Sequence, residues 1–170
     1  SLDRSTFPSY LGWGEMNDRG RRTLTWLAAH PVVSVEEARR LAKDEYLLAA
    51  EELKAIILRA YNRNWQELYD PQSDLALAIS ILRNWDNRAS VNSRGIVLFA
   101  SWKTRFDVLY GQLGEAQRQE LYVLERLALE ALQGAAAYLS ATFGRVDVVW
   151  GDVHKITRGD SAFAVGGAPP

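Results

Sequence analysis

Hydrophobic and polar positions along the chain sort into five stretches of helical period followed by a short stretch that alternates. Residues 1–18 precede them without a sustained period, and Phe7-Pro8-Ser9-Tyr10 and Gly12-Trp13-Gly14 mark an irregular lead-in. Asp18 is placed to cap a first helix to Ala29, where His30-Pro31 stops it because the residue before a proline disfavours helical geometry. Ser34-Val35-Glu36-Glu37 is a capping box, in which the serine takes a backbone N–H and the glutamate reaches back. It opens a second helix whose Ala42, Tyr46, Ala49, Leu53, Ile56 and Ala60 recur at steps of four and three, giving one apolar stripe to Tyr61. Polar residues and Pro71 between Asn62 and Gln72 predict a turn. Ser73 then caps a third helix with Leu75, Ala78, Ile79 and Leu82 on one face, ending near Trp85-Asp86.

After a polar turn over Asn87 to Asn92, Gly95, Leu98, Phe99, Trp102, Phe106 and Leu109 form a fourth, aromatic-rich helical stripe, broken between Gly111 and Gly114. A fifth helix is predicted from Glu115 to Thr142, burying Leu121, Leu124, Ala128, Ala131, Ala135 and Tyr138, its alanines permitting close helix approach. Beyond Gly144, β-branched Val146, Val148 and Val149 and a turn at Gly151-Asp152 change the character. The alternation of Val153-His154-Lys155-Ile156 before a turn at Arg158-Gly159-Asp160 then predicts short strands. Gly166-Gly167-Ala168-Pro169-Pro170 predicts an extended loop, and both ends read as interruptions of a longer chain. The pattern predicts a mainly α fold of about five helices in an irregular bundle with a short β extension. Its divisions are a lead-in over 1–18, a helical domain over 19–143, and short strands with a Gly/Pro tail over 144–170.

Composition narrows the function classes. Lysine plus arginine number 20 and aspartate plus glutamate 21, so no net field draws nucleic acid or an anionic membrane surface. No apolar run approaches the roughly 20 residues of a bilayer span, and Ser1-Leu2-Asp3-Arg4 has neither the basic nor the apolar region of a leader. The absence of cysteine excludes a disulfide framework, a thiolate zinc site and a cysteine nucleophile, and it fits reducing and oxidising compartments alike.

Candidate chemistry is sparse. Ser1 is a candidate because an N-terminal serine can serve as nucleophile with its own α-amine as base. Against it, Leu2-Asp3-Arg4-Ser5 is neither apolar nor strand-like, so Ser1 reads as the place where the chain begins. His30 and His154 are the only histidines and lack the spacing of metal ligands. No Gly-x-Ser-x-Gly turn exposes a serine. Asp44-Glu45 and Glu51-Glu52 read as a solvated helix face, and Gly166-Gly167 lacks the lysine and helix start of a phosphate loop. No catalytic residue, cofactor site or metal site is assigned.

Three stretches resemble the penicillin acylase family, in particular its subgroup of acyl-homoserine-lactone and aculeacin acylases. They are Arg19-Gly20-Arg21-Arg22 through Leu27 with Ser34-Val35-Glu36-Glu37 and Asp44; Leu82-Arg83-Asn84-Trp85-Asp86 with Ser93-Arg94-Gly95 and Leu98-Phe99-Ala100-Ser101-Trp102; and Gly144-Arg145-Val146-Asp147-Val148-Val149-Trp150-Gly151-Asp152-Val153-His154. The resemblance implies an N-terminal nucleophile hydrolase of larger α+β sandwich fold that is self-cleaved into two chains. Such an enzyme hydrolyses N-acyl amides by serine acyl transfer and is exported to the periplasm or secreted. It also implies that the partners are the remainder of the acylase α and β chains and a small-molecule acyl amide.

Two departures qualify it. Ser1 is followed by Leu2 where the family has asparagine, and the connection over 102–115 is shorter than the proline-rich one of relatives. No catalytic residue transfers on the resemblance, which implies that the fragment is inactive and leaves Trp85, Asp86, Ser93 and Trp102 to fix helix ends and packing. The alternative is a free-standing helical interaction module offering an apolar stripe to a partner helix.

Overall fold

The structure, a computed structural model, describes residues 17–68 and 70–168, with backbone alone over 64–68. Ser1 and the lead-in over 1–16 therefore lie outside the described residues. The described residues form eight helices and one hairpin: α1 (Asp18–Ala29), α2 (Val35–Ala42), α3 (Leu48–Leu68), α4 (Asp74–Asn84), α5 (Gly95–Gly111), α6 (Glu115–Arg118), α7 (Leu121–Phe143), α8 (Trp150–Val153), β1 (Lys155–Arg158) and β2 (Ser161–Ala164). The mainly α class with a short C-terminal β extension is the one the hydrophobic pattern predicts. Among these residues no helix is long and apolar enough to cross a membrane.

The helices exceed the five expected because two long stripes are each broken and a short helix, α8, forms where a turn was expected. Asn17, one residue before the expected Asp18, caps α1 by accepting from the Gly20 amide at 2.9 Å. The Ser34–Glu37 capping box forms as the sequence predicts and opens α2. That helix stops at Ala42 instead of running to Tyr61. Between Lys43 and Leu47 the backbone turns to the 85–89 loop, where Leu47 N–H donates to Asn87 O and Ala89 N–H to Glu45 O, both at 2.9 Å. Strand-like pairing of Tyr46 with Arg88 thus replaces a helical turn. Helix α3 then continues through the expected turn at Asn62. Similarly, the fifth stripe divides at Gln119-Glu120 into α6 and α7.

Helix α7 is the centre of the bundle, with α3, α4 and α5 packed around it. Because it has neighbours on several sides, its buried set is wider than one stripe. Leu127, Leu129, Leu132, Ala136 and Leu139 are buried with Ala128, Ala131 and Ala135, whereas the expected core residues Leu121 and Tyr138 are largely exposed. Each fully buried leucine contributes about 1.5–3 kcal/mol. From α4, Leu75, Ala78, Ile79 and Leu82 are buried as the pattern predicts. Helix α5 supplies an aromatic ladder in which Trp85–Phe99, Phe99–Trp102, Trp102–Phe106 and Phe106–Tyr110 have centroids 5.2, 5.5, 5.0 and 5.9 Å apart. The Trp102 indole N–H donates to Ala128 O of α7 at 2.9 Å, so the largest side chain of this core leaves no polar atom unpaired.

At the C-terminal end Val146 and Val148 are buried, but without strand pairing, and Trp150–Val153 forms a short helix where a turn at Gly151-Asp152 was expected. The hairpin pairs β1 antiparallel to β2 with Arg158 opposite Ser161, placing the turn at Gly159-Asp160 as expected. Both strands are exposed throughout.

Among the described residues one charged side chain enters the core. Glu125 of α7 is 1% exposed, and Arg59 and Arg63 of α3 reach it at 3.2 and 2.9 Å, each about half exposed. Removing both arginines strands a buried carboxylate, whereas removing the glutamate lets the arginines turn to water. The Arg59→Ala/Arg63→Ala protein is expected to lose about 3–5 kcal/mol in urea unfolding. Glu125→Met is expected to lose clearly less, and the reverse order would contradict this account.

Candidate functional site

His30 and His154, the two histidines considered as ligands or bases, are both committed to main-chain carbonyls. His30 Nδ1 donates to Trp26 O at 2.8 Å and its ring stacks on Trp26 at 4.0 Å. His154 Nδ1 donates to Val165 O at 2.9 Å and its ring stacks on Trp150 at 4.4 Å. Ser1 is outside the described residues, and among those residues no group of three or more acidic or histidine side chains could hold a metal ion.

Glu51 and Glu52 are on the exposed face expected of them, Glu51 accepting the Tyr46 hydroxyl at 2.9 Å. Asp44 and Glu45 are not. Asp44 is the junction of three segments: Arg22 Nε of α1 donates to it at 2.9 Å, Arg88 Nη1 of the 85–89 loop at 3.0 Å, and the Tyr46 amide at 3.4 Å. Arg22 also stacks over the Tyr46 ring at 4.4 Å. Burial works to raise the proton affinity of the Asp44 carboxyl. The Arg22 hydrogen bond, the charges of Arg22 and Arg88 and the Tyr46 N–H outweigh it and hold the group below the ordinary carboxylate range. The reading of Asp44-Glu45 as solvated helix fails because helix α2 ends before them. The residues that desolvate and pair Asp44 are 22 and 44 positions away, beyond the reach of local periodicity.

The 85–95 connection is the second part of the site. Trp85 Nε1 donates to Arg88 O at 2.9 Å, and Lys54 Nζ donates to Trp85 O at 2.7 Å, capping the C-terminal end of α4. Burial pushes the Lys54 ammonium below its usual value, against the pull of Asp86 and Glu51. Asp86 Oδ1 accepts the Arg88 amide at 3.0 Å in a local turn. Gly95, first residue of α5, lies so close to the Trp85 indole that a methyl group there would come within 2.6 Å of Trp85 Cβ.

The C-terminal segment docks on the same loop. Trp150 N–H donates to Ser93 O, Gly151 N–H to Val91 O and Gly167 N–H to Ala89 O, all at 2.8 Å, while Trp150 Nε1 donates to Gly167 O at 3.0 Å. The Glu45 carboxylate presses on Gly166, where a Cβ would meet Glu45 Cδ at 2.8 Å. The Gly/Pro tail, expected as an extended loop, is thus held in place up to Gly167.

The sequence pattern of the family described as Penicillin amidase matches residues 2–169, nearly the whole chain. The chain belongs to the penicillin amidase family. No curated protein matches it. In this penicillin amidase family member, the three stretches that carry the resemblance meet at one place. Arg22 and Asp44 of the first, Trp85 to Gly95 of the second and Trp150-Gly151 of the third adjoin one another around the 85–95 connection. Their side chains are spent on bracing: Trp85 and Trp102 donate to main-chain carbonyls, and Asp86 closes a turn. Ser93 Oγ and Asn87 Oδ1 are buried there without a hydrogen-bond partner among the described residues.

Two outcomes follow. Gly95→Ala is expected to force the Trp85 indole off Arg88 O and to cost about 1–3 kcal/mol, measurable by thermal unfolding with a loss of near-ultraviolet tryptophan dichroism. Because the Asp44 carboxyl is held low in the folded state, its contribution is full above the unfolded value of about 3.9 and is lost as pH falls through the folded value. Asp147, hydrogen-bonded to Arg145, acts in the same direction but is more exposed. The urea midpoint is expected to fall below about pH 4, and Asp44→Asn is expected to flatten that fall.

Proposed function

We propose that this chain is a helical part of an amidohydrolase that cleaves N-acyl amides by acyl transfer to an N-terminal serine lying outside these residues. In such a reaction the serine hydroxyl gives its proton to the α-amine and attacks the amide carbonyl; the amine leaves, and water hydrolyses the ester. The reading rests on the family pattern spanning residues 2–169. It is supported by the way Trp85 and Trp102 serve packing and Asp86 serves turn formation.

Within the family, the three matching stretches favour the acyl-homoserine-lactone and aculeacin acylase subgroup, so the substrate is an amide of the penicillin, acyl-homoserine-lactone or lipopeptide type. The partners are the remaining acylase chains, and the compartment is the periplasm or the exterior. The exposed hairpin of β1 and β2, with Ile156 and Phe163 on its surface, is a place where those chains would attach, since a two-stranded ribbon is only marginally stable by itself.

A chromogenic panel of phenylacetyl and long-chain acyl amides tests this on the 170-residue chain and on a chain extended at both ends. Turnover by the extended chain alone is the expected result. Turnover by the shorter chain, abolished by Ser1→Ala, would overturn it.

A further inference from the structure

Helices α1 and α2 bury no residue, yet they enclose a groove of defined composition. Arg22 and Trp26 share one face of α1, and His30, the residue that caps its C-terminal end, stacks on Trp26. On the facing side of α2 stand Arg40 and Leu41, with Lys43 just past its end and Arg88 at the base. Together with α1 they line a cavity of about 450 Å³, within the usual size for a small-molecule site.

The charges in this groove do not cancel. Its four cations, Arg22, Arg40, Lys43 and Arg88, face two carboxylates, and both carboxylates are already engaged. Asp44 holds Arg22 and Arg88, and Glu37 is tied to Ser34 by the capping box. Arg40 and Lys43 are exposed and form no ion pair among the described residues. Arg40 lies near enough to Glu37 to act on its charge, but the Glu37 carboxylate takes its hydrogen bonds from the Ser34 N–H and hydroxyl. Two positive charges therefore remain over, beside a stacked aromatic pair whose planes are 7° from parallel. A cation pair next to a flat aromatic wall is complementary to an anion that carries a flat ring.

We propose that the groove between α1 and α2 binds a small planar monocarboxylate, its carboxylate on Arg40 and Lys43 and its ring against the Trp26–His30 pair. Arg22, Asp44 and Arg88 hold the groove open and are not expected to exchange partners. The proposal does not rest on the amide chemistry above and is tested independently of it.

The probe is benzoate, compared with benzamide as its neutral isostere, acetate as a carboxylate without a ring, and inorganic phosphate as an anion without a plane. Titration is followed by calorimetry and by the indole N–H resonance of Trp26, assigned with Trp26→Phe. Saturable benzoate binding in the millimolar range is expected, weakening as salt rises from about 50 to about 500 mM. The Arg40→Gln/Lys43→Gln protein should weaken it at least about fivefold. Arg40→Lys/Lys43→Arg should restore it, and Arg126→Gln, on a distant exposed helix face, should leave it unchanged. Benzamide, acetate or phosphate binding as well as benzoate would overturn the proposal, as would benzoate binding that ignores the Arg40/Lys43 charges or no benzoate binding at all.

Discussion

Buried main-chain groups must be paired, and the 85–95 connection meets that requirement almost entirely with groups from distant parts of the chain. Asn87 O receives Leu47, Ala89 gives its N–H to Glu45 and takes one from Gly167, Val91 O receives Gly151, and Ser93 O receives Trp150. Five segments are thereby positioned by one loop: the link after α2, the start of α3, the end of α4, the start of α5 and the C-terminal run. Asn87 adopts a left-handed conformation at φ 60°, tolerated by asparagine, because the loop must turn sharply to present these groups. The helices supply most of the buried area, but the loop decides which helix lies beside which.

Two carboxylates extend the same logic to side chains. Asp44 joins α1 to the loop through Arg22 and Arg88, and Glu125 joins α7 to α3 through Arg59 and Arg63. In each case one acid holds two guanidinium groups, so desolvation of the acid is offset by two cations that keep part of their own hydration. The difference lies in what they anchor. Glu125 ties together two helices already packed by apolar contact, whereas Asp44 is the principal tie of an α1–α2 arm that buries no side chain.

For a member of the penicillin amidase family, this arrangement gives the matching stretches a physical meaning. The tryptophans and glycines are complementary in shape: the Trp85 indole occupies the space that a Gly95 side chain would take, and Glu45 does the same at Gly166. Trp150 closes the assembly by binding the backbone of Gly167. The chain thus carries a braced helical platform from which the exposed β1–β2 hairpin projects.

Local chemistry accounts for what was legible beforehand. The Ser34–Glu37 box, the stop at His30-Pro31, the α4 face of Leu75, Ala78, Ile79 and Leu82, the aromatic stripe of α5 and the turn at Gly159-Asp160 all depend on residues within a few positions of each other. The sequence by itself therefore determined the mainly helical class, the position of most helices and, through its motifs, the family. It did not determine the break after Ala42 or the wide buried face of α7, since a continuous apolar period suits a long helix as well as two short ones. The roles of Asp44 and Glu125 were hidden for the same reason. A carboxylate on a helical pattern reads as solvated until the fold brings arginines to it, and only the tertiary structure decided that Arg22, Arg88, Arg59 and Arg63 would arrive there.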